Sequence, residues 1–151
     1  MQTTAEARQE LLDAVAEATD EIAVALASLG AAYEQLDVYH ADELEEKLFR
    51  PVQLAYGRAR RTHAEFAARH GLASRKFEPP SPGLPSIGAK VFIDNAVTAV
   101  SKADGTLATL QDSLLPVEVG DPELRAALAD LRELVGGLAQ QAREVVRTIG
   151  R

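Results

Sequence analysis

Three histidines carry the most easily named chemistry in this chain: His40, His63 and His70. Imidazole ligates first-row metals and exchanges protons near neutral pH. His63 and His70 lie seven residues apart and extend a row that begins with Phe49 and Tyr56, beside a companion row of Val52, Ala59 and Phe66. On a helix, that spacing puts both rings on or next to one apolar seam, about 10 Å apart along the axis and too far to share an ion. His40 follows Asp37 by three residues. This is the chain's nearest approach to the Glu-x-x-His pair of a di-iron carboxylate site, which needs two such pairs and two further Glu. Asp37, His40, His63 and His70 are therefore the candidate metal ligands, but their pattern implies neither a metal centre nor a cofactor. The expectation is a hydrogen-bonded seam position for His63 and a last-turn, dipole-complementing position for His70.

The second group able to do chemistry is cationic. Residues 1–46 hold Arg8 against twelve acids, whereas residues 47–76 hold eight cations against Glu65 alone. Arg58, Arg60, Arg61, Arg69, Arg75 and Lys76 form a candidate face for an anion or an acidic partner. A competing arrangement pairs these cations with the acids of the preceding helix, as flanking charges do when they set helix register. The second arrangement is the expected one. A net charge of −7 and a pI near 5.0 make nucleic acid an unlikely partner, and no aromatic outside the seam is interleaved among the arginines to stack bases.

Other chemistries lack their parts. The absence of Cys excludes disulfides, thiolate metal sites and a Cys nucleophile. No serine sits in a glycine-rich elbow, and no glycine pattern cradles a phosphate. Met1 is the only methionine. The expectation is a protein that is not an enzyme. The N-terminus lacks the basic start and apolar run of a signal peptide, and no window approaches the ~20 apolar residues of a membrane span, so a cytoplasmic location is expected. The Ala-, Leu- and Arg-rich usage suggests a GC-rich bacterial genome.

What must position these residues is helical. With 151 residues the chain fits a single domain, and 46% hydrophobic residues with few aromatics predict an aliphatic core. Residues 11, 15, 18, 22, 25, 29, 32, 36 and 39 are apolar or aromatic at alternating 4/3 spacing, with Gly30 inside the run. The same period recurs at 93, 96, 100, 103, 107, 110 and 114, and at 124 through 149. These stripes and their flanking signals predict helices over 4–39, 42–70, 87–115 and 121–149. Asp42 caps the second, which Pro51 kinks or splits and Gly71 ends; Pro116 stops the third; Asp121-Pro122 starts the fourth. The sequence thus predicts an all-α, antiparallel four-helix bundle.

One segment breaks the pattern. Residues 71–86 contain four Pro, two Gly and three Ser, longer than a usual bundle connection of about 2–8 residues. It is either a crossover or functional, with Phe77, Leu84 and Ile87 available to pin it. Its Lys76-x-x-Pro79-x-x-Pro82 spacing also matches ligands of polyproline-binding modules, but the pattern is short and common by chance, and a stiff connector whose prolines limit loop entropy is the expected reading. The leading functional expectation is a non-enzymatic helical protein acting through a protein partner or by self-association as a homo-oligomer. The alternative is a bundle that binds a metal or small ligand through histidines and carboxylates.

Overall fold

Helices form where the apolar stripes run, but their ends are decided by local hydrogen bonds. The computed structural model describes residues 1–149, which are all-helical with no strand among them. Helix α1 spans Thr4–Gln35, and its N-cap Thr3 accepts a hydrogen bond from the Glu6 backbone N–H. Gly30 lies inside it as expected. The helix stops four residues short of the predicted 39, at Leu36 in extended backbone, so Tyr39 leaves the stripe and is solvent-exposed. Asp37, not Asp42, caps the next helix: its side chain accepts from His40 N, and α2 runs Val38–Leu44.

Pro51 splits the second helical segment, but not by ending it. Residues Glu45–Phe49 form one π-helical turn, in which Arg50 N–H bonds to Glu45 O, and α3 then continues over Arg50–His70. Proline lacks the N–H that would reach Lys47 O, and its ring would collide with that carbonyl; widening the turn before it removes both conflicts. Gly71 ends α3 at φ 65°, the left-handed conformation that glycine adopts without a Cβ penalty.

Helix α4 covers Ala89–Asp112, shorter at both ends than the predicted 87–115. Pro85–Ile87 form a 3-10 turn before it. Pro116 does not stop α4: Ser113 ends it, with the Ser113 hydroxyl donating to Leu110 O, and Pro116 enters a one-turn helix α5, Leu115–Glu118. Arg8 and Arg125 donate to Val119 O and Pro116 O, tying this corner to the flanking helices. Helix α6 spans Pro122–Ile149 and is capped by Asp121, which accepts from Leu124 N at 2.6 Å.

The long helices share one aliphatic core. α1 packs on both α3 and α4, and α6 packs on the same two. Arg8 meets Val119, Glu21 meets Thr106 and Gln35 meets Pro85, so α1 and α4 run in opposite directions. Leu11, Leu29, Leu48, Phe66, Phe92, Leu107 and Leu124 are fully buried, and each such side chain contributes about 1.5–3 kcal/mol through its removal from water. No helix among the described residues is long and apolar enough to cross a membrane.

Candidate functional site

The segment between α3 and α4 crosses the outer side of α1 and encloses an open cleft of about 920 Å³. Its course is set by a few anchors. Phe77 is buried in the core, with its ring edge-on to His63 at 5.0 Å. Arg75 lies over the Phe77 ring at 4.5 Å and donates two hydrogen bonds, of 2.9 and 2.8 Å, to Asp20 on α1. At the far end Gln35 donates to Pro85 O. Of the three side chains expected to pin the segment, Phe77 does so; Leu84 and Ile87 stay exposed, and Gln35 holds the backbone here instead through Pro85 O.

α1 supplies the largest share of the cleft wall. Asp13, Glu17, Asp20 and Glu21 line it, with apolar surface from Ala16, Val24 and Ala27. α4 adds Asn95, Thr98, Ala99 and Lys102, the crossing segment adds Ser74, Arg75 and Pro80–Pro82, and α3 adds His63. Burial pushes the Glu21 carboxyl up, opposed by the Thr106 hydroxyl that donates to it at 2.7 Å. Asp13 accepts from Gln9 Nε2 at 2.8 Å. Asp13, Glu17 and Lys102 form no ion pair among the described residues.

His63 occupies the apolar seam as the sequence predicts, but it is not hydrogen-bonded as predicted. It is 3% exposed, and its Nδ1 has no partner among the described residues. Burial and then the nearby Arg75 push its pKa down, while Asp13 and Asp20 oppose the shift, so the ring is neutral. Ser28, Ser74 and Ser81 also line the cleft, yet none hydrogen-bonds His63, so no nucleophile–base pair is assembled among the described residues.

The remaining sequence candidates are dispersed. Asp37 and His40 bond each other at the α1–α2 corner, and that bond holds the Asp37 carboxyl below its usual range. His70 Nε2 lies 2.8 Å from Asp121 Oδ2; because a carboxylate only accepts, this nitrogen carries the proton. Arg69 donates two further hydrogen bonds to the same carboxylate. Burial tends to raise the Asp121 pKa, but Arg69, the Leu124 N–H and His70 together outweigh it and hold the carboxyl far below the usual range. The four proposed ligands therefore sit in three separate places, and no group of three His, Asp or Glu among the described residues is arranged to hold a metal ion.

The basic face also divides. Arg69 and Arg75 pair with Asp121 and Asp20, and Lys76 lies 3.4 Å from Glu78. Arg58, Arg60 and Arg61 have no carboxylate within 4.0 Å among the described residues; Arg60 instead lies over the Tyr56 ring. The expected pairing of these three with the acids of the first helix is thus not formed. Their positions on α3 point away from the seam that contacts α1 and α6, and Asp13, Glu17, Asp20 and Glu21 of α1 face the cleft instead.

Sequence reasoning missed Asp13, Glu17, Glu21 and Lys102 as site residues. A signal was present in α1: acids at 13, 17, 20 and 21 follow helical spacing beside the main stripe, and Val24 and Ala27 extend apolar surface past it. Compared with protein-family models, curated proteins and solved structures, the chain matches none.

Proposed function

We propose that this protein is a non-enzymatic binding module: a single-domain antiparallel four-helix bundle whose Pro-rich crossover converts one helix face into a small-ligand site. The observation that carries this reading is the cleft itself. Its volume falls within the range of about 300–1,000 Å³ typical of small-molecule sites, and polar and charged side chains share its wall with apolar ones. Of its buried polar residues, His63 keeps an unsatisfied ring nitrogen, which normally costs about 1–3 kcal/mol. A ligand able to reach it would recover part of that cost. The apolar stripes of α1, α4 and α6 are buried in the shared core, which leaves the cleft rather than those stripes to meet a ligand.

A nuclear magnetic resonance screen of the intact protein against a mixed set of amine, acid and neutral fragments tests the reading. Amide shifts concentrated at Ser74, Arg75, Ser81, Asn95 and Thr98 are the expected result. Hits scattered over the surface, or none at these residues, would sink it.

A second reading, action through a protein partner or self-association, has its own observation. Val38, Tyr39, Leu84 and Ile87 are exposed and flank the two ends of the Gln35–Pro85 hydrogen bond. Light scattering on the wild type and on Tyr39→Asp separates this reading from the first: an oligomer that Tyr39→Asp dissociates supports it, and a monomer in both removes self-association.

A further inference from the structure

Resting on the ligand-site reading, the chemistry of the ligand can be narrowed. Arg75 and Asp20 neutralise each other through paired hydrogen bonds, so neither is available to a ligand without breaking that bond. What remains in the cleft is Asp13, Glu17 and Glu21 against Lys102. Asp13 and Glu17 are one helical turn apart, about 6 Å along α1, a spacing that two carboxylates can span around a single ammonium group. Both are exposed, while Glu21 is partly occupied by Thr106.

The acids alone would be an ordinary solvated face. His63 makes the difference: it is nine-tenths buried, lines the same cleft and has an unpartnered ring nitrogen. The same cleft is lined by Ala16, Val24 and Ala99 and by Pro80 and Pro82 of the crossing segment, a surface for an apolar body. From these groups we infer that the cleft takes a small organic amine: an ammonium group held at Asp13 and Glu17, an apolar or aromatic body, and a hydrogen-bonding group that engages His63. An anionic ligand would face three carboxylates with only Lys102 free to meet it.

Three compounds with one body and different charge test the inference by titration calorimetry on the full chain: tyramine, its neutral alcohol tyrosol, and 3-(4-hydroxyphenyl)propionate. Tyramine is expected to bind one to one, tyrosol at least ~10-fold more weakly, and the propionate not at all, since each lost charge-assisted contact removes about 1.5–3 kcal/mol. The double variant Asp13→Asn/Glu17→Gln, both at exposed positions, should weaken tyramine at least ~10-fold, and Lys102→Gln should tighten it a few-fold by removing repulsion. If tyrosol or the propionate binds as tightly as tyramine, or if the double variant and Lys102→Gln both leave tyramine binding unchanged, the amine assignment is wrong while a ligand site remains. If none of the three binds and none moves the cleft amides, the amine assignment and the ligand-site reading fall together.

Discussion

His63 and His70 sit seven residues apart on α3, on the same side of one helix, and their surroundings are opposite. At the α3–α6 corner, Asp121 accepts from Arg69, His70 and Leu124 N, so every charge and the helix start are satisfied at once. At the cleft, His63 is more deeply buried but has an unpartnered nitrogen, and Asp13 and Glu17 form no ion pair, among the described residues. A polar cluster that saturates itself has nothing left for a ligand and serves to join two helices. One left with unused donors and acceptors next to open volume is where binding energy remains to be gained. Titratable residues on one face of one helix can therefore have unrelated roles, and hydrogen-bond satisfaction separates them better than residue type does.

The comparison breaks most readily at the saturated corner. Asp121→Ala removes the α6 cap, two Arg69 hydrogen bonds and the His70 partner, and is expected to lower stability by about 2–4 kcal/mol in urea unfolding. A loss below ~1 kcal/mol would mean that the corner is not a structural joint.

The histidines themselves give the next largest contrast. His70→Leu should cost about 1–2 kcal/mol by leaving the Asp121 carboxylate with one hydrogen bond fewer. His63→Leu should fall within ~1 kcal/mol of the wild type near neutral pH, because it replaces an unsatisfied buried group by an apolar one. It should also change the pH response. The folded state lowers the His63 pKa below its ordinary 6.5, so the unfolded chain binds more protons as pH falls through that value. Wild-type stability should decline from about neutral pH downward, with Arg75 deepening the decline and Asp13 and Asp20 limiting it. Thermal melts of His63→Leu should lose that slope. The acid-range decline below the ordinary Asp value of 3.8, where Asp121 is the group held low, should persist.

Smaller effects are expected at exposed pairs. Arg75 and Asp20 are each about half exposed, and an exposed pair contributes ~0–1 kcal/mol, so Asp20→Asn should barely move the midpoint. It should nevertheless loosen the crossing segment, read as faster amide exchange at residues 73–77. Unchanged exchange there would place the anchoring entirely on Phe77. Smallest of all is the reversal of Arg58, Arg60 and Arg61 to Glu. Since none of them has a carboxylate partner among the described residues, the melting midpoint should stay within ~1 kcal/mol of the wild type, apart from the Arg60–Tyr56 contact. A larger loss that salt diminishes would show that these cations are paired after all.

Much of this architecture is local and therefore legible in the residues. The 4/3 stripes from Leu11 to Ala32, from Ile93 to Leu110 and from Leu124 to Val145 are buried as read, since helical period depends only on near-neighbour geometry. Gly71 as a helix end and Asp121 as a cap are likewise short-range chemistry. Errors arose where two local signals competed. Leu36 and Tyr39 continue a stripe that backbone at Leu36 abandons, and Asp37 outcompetes Asp42 as a cap because its side chain reaches His40 N. Which charges meet was decided by the tertiary structure alone. The residues show an acidic first helix and a basic second segment, but the partner of each cation depends on the course of the crossing segment and on the corner between α3 and α6. Asp20 to Arg75 and Asp121 to Arg69 join positions more than fifty apart in the chain. No periodicity encodes such contacts. They follow from packing the whole core, as does the cleft that the crossing segment makes from an otherwise solvated face of α1.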